Sequence, residues 1–226
     1  MEGGTPSLRR GPRPRPVQNS PRAGRGPRLP GHTLLVVLFV SLLAGCISTP
    51  PKSPNNLCSI FQERPSWYRA AQAAEKRWAI SPAVMMAVMY QESSYVADAR
   101  PPRKRLLWVI PWRRPSSAYG YAQATNETWA DYKRATSRRF VDRDDFDDAV
   151  DFIGWYLARA NRELGIHPTD ARRLYLAYHD GIGGYRRGTW QRKGWLQSAA
   201  GNVSARASRY RGQLDNCRLR RWRIFG

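Results

Sequence analysis

The sequence predicts a mainly α-helical domain, on three observations. Apolar residues recur at three- and four-residue spacing in five segments between Trp67 and Leu214. Helix-start residues stand before several of them, and no stretch alternates apolar and polar residues long enough to make a strand. There is no internal repeat, and 226 residues are enough for one domain with a substantial core plus appendages.

The elements follow in order. In "PSWYRAAQAAEKRWAI", Trp67, Ala70, Ala71, Ala74 and Trp78 fall at helical spacing. In "SPAVMMAVMYQESSYV", Ser81 and Pro82 predict a start. The serine oxygen can satisfy an orphan amide, and proline at the first helical position has no amide to leave unpaired. Val84, Met85, Val88 and Met89 form the apolar face, and Glu92 continues it at spacings of four and three. "DDFDDAVDFIGWYLARANREL" carries Phe146, Ala149, Val150, Ile153, Leu157, Ala160 and Leu164 on one stripe. Acidic residues occupy its first turn, where the helix dipole favours them. "TDARRLYLAYHDG" is a further helix with Thr169 as cap and Gly181 as stop, and a last one runs from about Trp195 to Leu214.

Glu92 is the candidate catalytic group. A carboxyl on an apolar face loses solvation, and a place near a helix C-terminus adds repulsion from the negative dipole end, so both effects raise its pKa. A glycosidic general acid needs that property, because it must hold a proton at neutral pH and give it to a departing sugar oxygen. A solvated or arginine-paired glutamate is the alternative that position alone allows.

The first 45 residues are separate from the core. They hold seven arginines, one glutamate and many prolines and glycines, then the apolar run "TLLVVLFVSLLAGC", shorter than the about 18 residues of a spanning helix. The pattern predicts a basic segment and export signal over 1–45. Leu43-Ala44-Gly45-Cys46 looks like a bacterial lipobox, with Cys46 the lipidated N-terminus after cleavage; an uncleaved anchor with a chance cysteine is the other reading. The Ser/Pro/Asn-rich stretch that follows predicts a tether over 46–60, and 61–226 is the domain.

Three cysteines are an odd number. With Cys46 given to lipid, Cys58 and Cys217 are free to pair in the oxidising compartment that export implies, the alternative being two buried thiols. Net charge is +21, and without the first 45 residues 31 basic and 16 acidic residues leave about +15. Such a field favours anionic partners. For an exported lipoprotein those are lipid head groups and cell-wall polymer, and nucleic acid is excluded by compartment.

Glu92-Ser93 followed by Ala97, then "SSAYGYAQATNETW", then "LYLAYHDGIGGY" resembles, in order, the three motifs of the soluble lytic murein transglycosylase (SLT) domain. That domain is glycoside hydrolase family 23, and its fold is shared with goose-type lysozyme. The resemblance covers roughly Trp67 to Tyr210 and implies a single lysozyme-like catalytic domain. It implies Glu92 as acid and base. Gly120, Tyr121 and Gln123 would line the groove floor, with Ala122 and Tyr121 replacing the usual middle pair. Ser116 would help position the reacting sugar. In the third motif, Tyr178 is implied to bring its hydroxyl to the catalytic carboxyl, and His179 stands where the family usually has asparagine.

What the resemblance implies chemically is cleavage of peptidoglycan between N-acetylmuramic acid and N-acetylglucosamine with formation of 1,6-anhydro ends. No cofactor is needed. Asp98, Glu127, Asp131 and Asp180 do not fall where the family has functional carboxylates, which implies a one-carboxylate route. A hydrolytic muramidase of the same fold and a non-catalytic wall-binding lipoprotein are the alternatives. No metal site is predicted: outside the signal only His167 and His179 remain, without zinc-ligand spacing. Ile47 after Cys46, rather than aspartate, implies the periplasmic side of the outer membrane.

Two further segments stay open. The basic stretch Arg100–Pro115, with Trp108 and Trp112, reads either as a groove wall or membrane-contacting loop, or as a solvated loop with tucked tryptophans. The closing "CRLRRWRIFG" reads either as a membrane-contacting tail or as a segment packed on the domain.

Overall fold

All five segments with helical spacing are helices in the computed structural model. It describes Met1, residues 49–102 and 116–219, and the backbone at 105–106 and 110–111. The chain divides into Met1–Cys46 and Ile47–Gly226. The basic segment, the apolar run with Cys46, Trp108, Trp112 and residues 220–226 lie outside the described residues.

In order, the second unit has α1 (Leu57–Glu63), α2 (Pro65–Trp78), α3 (Pro82–Ser93), β1 (Arg105–Leu106), β2 (Ile110–Pro111), α4 (Asn126–Thr136), α5 (Phe146–Leu164), α6 (Ala171–Arg186), a 3₁₀ turn at Thr189–Arg192 and α7 (Gly194–Asp215). β1 and β2 pair antiparallel, Arg105 opposite Pro111, within the basic insertion. The domain is mainly helical, as its apolar spacing predicts.

The core is built around α3. Every residue from Pro82 to Met89 is buried, so the helix has no polar side until its last turn. This corrects the expectation of an apolar face leading to Glu92: a helix that is hydrophobic all round is a core helix, and α3 packs against α2, α5 and α7. Its start also differs. Ser81 has the extended backbone of a cap and its carbonyl accepts from Val84 and Met85, but its hydroxyl is buried and bonds no amide.

The chain just before Phe61 is held against the domain. Leu57 and Ile60 are fully buried in α1, and Asn56 caps that helix through the Ser59 amide at 3.0 Å. Gln213 accepts from the Leu57 amide at 2.8 Å and donates to the Asn55 carbonyl at 3.1 Å, while Tyr210 and Arg206 donate to the Pro54 carbonyl. The chain is therefore pinned to α7 from about residue 54 onward. A bond between Cys58 and Cys217, Cα atoms 5.7 Å apart, joins α1 to the segment after α7. On the chain-entropy account a closed loop this long contributes up to about 5 kcal/mol.

α5 spans the domain behind α2, and Gly154 lets the two approach. A Cβ there would lie 2.7 Å from the Trp78 ring. Asp145 caps α5 through the Asp148 amide at 3.0 Å. The cap of α6 is Asp170, which accepts from the Arg173 amide, not Thr169 one residue earlier; the Thr169 hydroxyl instead pairs with His167. Gly181 does interrupt α6, as predicted: at φ 77°, ψ 155° its backbone is not helical, and a second helical stretch runs on from there to Arg186. That conformation is open essentially to glycine alone.

Candidate active site

Glu92 is the penultimate residue of α3, and the backbone beyond it is strained. Ser94 (φ 52°) and Tyr95 (φ 65°) are consecutive non-glycine residues in the left-handed region. Burial of Tyr95 holds this turn in place. Its ring is fully enclosed between Trp67 and Tyr90, and its hydroxyl donates to the Met86 carbonyl at 3.1 Å, with the Tyr210 hydroxyl also at 3.1 Å. Ser93 turns inward and donates to the Met89 carbonyl. The chain is thus reversed immediately after Glu92, which leaves the carboxyl at the mouth of the core helix.

A groove of about 490 Å³ opens there. It is lined by Ser116, Gln123, Thr125 and Thr128, by Tyr178, His179, Asp180 and Gly181 of α6, and by Phe152 and Tyr156 of α5. Four residues expected to meet substrate, Ser116, Gln123, Tyr178 and His179, are therefore brought together with Glu92. The other two are not. Tyr121 is only 1 % exposed and packs edge-on against Trp67 and Phe146, so it belongs to the core.

Gly120 serves the backbone. It has φ 80°, and a Cβ would stand 2.0 Å from the Arg143 carbonyl oxygen. That close approach lets the Tyr121 amide donate to the same carbonyl, while the Gly120 amide donates to Ala99. The Gln123 amide nitrogen then donates to Ala99 (2.8 Å) and Gly120 (2.9 Å), tying the turn to the segment that follows α3.

Glu92 itself is half-buried, with a graded environment. Its Oε1 is enclosed and has no hydrogen-bond partner. Burial pushes the carboxyl from its ordinary 4.5 up to about 7, opposed by a hydrogen bond from the Tyr175 hydroxyl. That tyrosine was missed in the sequence, although it lies one helical turn before Tyr178. The Tyr178 hydroxyl donates to the Ala122 carbonyl at 2.6 Å, and it lies near enough to Glu92 for the carboxylate's charge, after burial, to push the phenol up. The hydroxyl's bond to Ala122 fastens α6 to the Gly120 turn.

Asp180 is the groove's other carboxylate, and it is fully committed. Lys193 and Thr189 both donate to it. Burial disfavours its charge, but the hydrogen bonds from Lys193 and Thr189, with the lysine's charge, outweigh that and hold it below the ordinary carboxylate range. His179 is lowered, chiefly by burial and then by the Lys193 charge, against the pull of Asp180. Asp98, Glu127 and Asp131 do not line the groove. The site thus offers one carboxyl that is free to exchange a proton near neutral pH, among polar and aromatic side chains.

The domain is thus helical and lysozyme-like, with a carboxyl that has one orphaned oxygen in its groove. The family model described as the transglycosylase SLT domain matches residues 34–217, and the chain belongs to that family. The family is of the lytic transglycosylase type, which makes this an enzyme domain directed at peptidoglycan. No curated relative matches the chain.

Proposed function

We propose that this protein is a lytic transglycosylase of the glycoside hydrolase family 23 kind, cleaving the β-1,4 bond between N-acetylmuramic acid and N-acetylglucosamine with Glu92 as its only acid and base. The observation that carries this reading is the groove-lining Glu92 carboxyl with one enclosed, orphaned oxygen and a burial that pushes its pKa up to about 7. Neutral Glu92 gives its proton to the glycosidic oxygen as the C1–O4 bond breaks. The resulting carboxylate takes the proton of the muramic acid 6-hydroxyl, whose oxygen bonds C1. A 1,6-anhydro ring closes, Glu92 ends protonated, and no water is consumed. A two-carboxylate hydrolysis would need a second group to activate water or attack C1, and Asp180 is held by Lys193 and Thr189.

Gln123, pinned by its own donor bonds, directs its remaining surface into the groove, and Ser116 lines it too. These two, with Tyr178 and His179, are the residues we assign to sugar binding. We also propose that Cys46 carries lipid after cleavage of the preceding signal and that Ile47 sorts the protein to the periplasmic side of the outer membrane. The sequence Leu43-Ala44-Gly45-Cys46-Ile47 supports both.

The test is mass spectrometry of muropeptides released from purified sacculi by the full chain and by Glu92→Gln. Anhydro ends from the native chain, lost in the variant, are expected. Reducing ends would make the protein a muramidase, and sacculus binding without any release would make it a wall-binding protein. For the lipid, a fatty-acid analogue should label the native chain and not Cys46→Ala; label on both, or on neither, would overturn that assignment.

A further inference from the structure

Trp195, at the start of α7, is 59 % exposed, whereas Trp190, in the 3₁₀ turn just before it, stacks on Tyr185 at 5.8 Å and 17°. Indole is the largest apolar side chain, and leaving it in water forfeits the burial free energy that the other rings of this domain collect. Among the described residues Trp195 has one ring partner, His179, whose centroid lies 5.0 Å away at 79°. His179 lines the groove, and its ring is also 6.1 Å from that of Tyr175, which bonds Glu92.

The backbone joins Trp195 to the groove a second time. Lys193, two residues earlier, donates to the groove carboxylate Asp180, and Thr189 of the 3₁₀ turn donates to its other oxygen. The wall made by the kinked α6 therefore continues without a break through the 3₁₀ turn to the first turn of α7. Tyr178, His179 and Gly181 line the groove, and Trp195, which does not, meets it through the His179 ring.

We propose that Trp195, braced edge-on by His179, is a stacking platform for one further pyranose ring of the glycan, a subsite that extends the groove past the α6 kink. The proposal rests on the glycan-cleaving reading of the site. A pyranose presents an apolar C–H face and a rim of hydroxyls. An exposed indole receives the face, and the polar side chains around Lys193 meet the rim. The perpendicular His179 ring fixes the indole's orientation without covering it on both sides. Because the contact is made with a sugar distant from the scissile bond, Trp195 sets how tightly a longer strand is held, not the chemistry at Glu92.

The experiment uses the full chain in detergent with Glu92→Gln, so that ligand is not turned over, and measures binding of an N-acetylglucosamine hexasaccharide by calorimetry. Adding Trp195→Ala should weaken the affinity about tenfold, and Trp195→Phe, which keeps an aromatic face, should restore it to within about threefold. The melting temperature should be the same for all three, as the side chain is exposed. Hexasaccharide affinity unchanged by Trp195→Ala would overturn the platform, as would a Phe variant as weak as the Ala variant. Failure of the glycosidic reading is separate: it would appear as undiminished muropeptide release by Glu92→Gln, whatever Trp195 does.

Discussion

Asp148 and Asp151, in the first half of α5, and Glu92, at the end of α3, are all carboxylates withdrawn from water, and the chain surrounds them differently. Asp148 takes Arg138 at 2.6 Å and the Asp142 amide at 2.9 Å. Asp151 takes the Trp78 indole at 2.8 Å, the Tyr132 hydroxyl at 2.6 Å and Arg138 at 3.2 Å, with Arg77 a further 3.5 Å ion pair. Glu92 has one tyrosine hydroxyl and an oxygen with no partner. Burial raises Asp148 too, but there the Asp142 amide and the Arg138 charge work against it. One pair of acids is surrounded by donors and holds helices together; the single acid is left with an unmet demand for a proton or a donor. Unmet demand at a groove is what a proton-transfer group requires, and it costs stability.

The largest effect that would break this contrast is at Glu92. Glu92→Gln keeps size and one donor but cannot exchange a proton, so release of anhydro products should fall by about 10³-fold or more while the fold survives. In the native enzyme, kcat/KM on soluble glycan should decline as pH rises through about 7, where the acid proton is lost. A profile flat from pH 6 to 9 would remove Glu92 as the acid.

The same residue predicts a stability change of opposite sign. Its folded pKa, about 7, lies above the ordinary 4.5, so between those values the native state binds a proton that the unfolded chain has released. Stability therefore falls as pH rises across that window and stays lower above it, by at most about 3 kcal/mol and less to the extent that groove solvent reaches the carboxyl. Glu92→Gln has no such penalty. Urea melts should find it more stable than the native chain at pH 8 and equal near pH 4.5; equal stability at both would mean that the carboxyl is not desolvated.

Asp151 sharpens the comparison from the other side. Asp151→Ala strands the Trp78 indole, the Tyr132 hydroxyl and part of Arg138, and should cost about 3 kcal/mol in urea denaturation. Activity per folded molecule should stay within about twofold of native, because none of these groups lines the groove. A marked loss of turnover without loss of stability would show that the network governs the site rather than the fold.

The sequence made the helices readable because their apolar spacing is a direct record of burial: Leu196, Ala200, Val203, Ala207 and Tyr210 are all buried on one stripe of α7. α4 was not read as a helix. Its only buried residues are Trp129 and Tyr132, too few to show a period, and its Thr125 cap, bonded to the Thr128 amide at 3.3 Å, is a local signal that stood unrecognised inside the motif. Within the site, Glu92 was legible from its place after a long apolar run, although the reason proved to be a helix buried on every side.

Tyr121 and Gly120 were misassigned because a motif does not say which of its side chains face inward. That depends on Arg143, more than twenty residues later, whose carbonyl excludes a Cβ at position 120. Phe152 and Tyr156 were hidden for the converse reason: on α5, aromatic rings at helical spacing look like core, and only the path of α6 shows that they face the groove.

Tyr175 carries the smallest expected effect. Its hydroxyl donates to Glu92 and so favours the charged carboxylate, against the burial that favours the neutral acid. Tyr175→Phe removes that donor and leaves the desolvation in place, so the carboxyl should titrate higher still. The alkaline limb of kcat/KM should move up by about half a pH unit, and activity at pH 8 relative to pH 6 should rise even if the peak falls through looser placement of the carboxyl. Tyr178→Phe is the informative companion. Its hydroxyl spends its proton on the Ala122 carbonyl, so its loss should loosen α6 against the Gly120 turn and raise KM without moving the limb. An alkaline limb displaced by Tyr178→Phe and untouched by Tyr175→Phe would reverse the two assignments and return to Tyr178 the contact that the sequence motif implies for it.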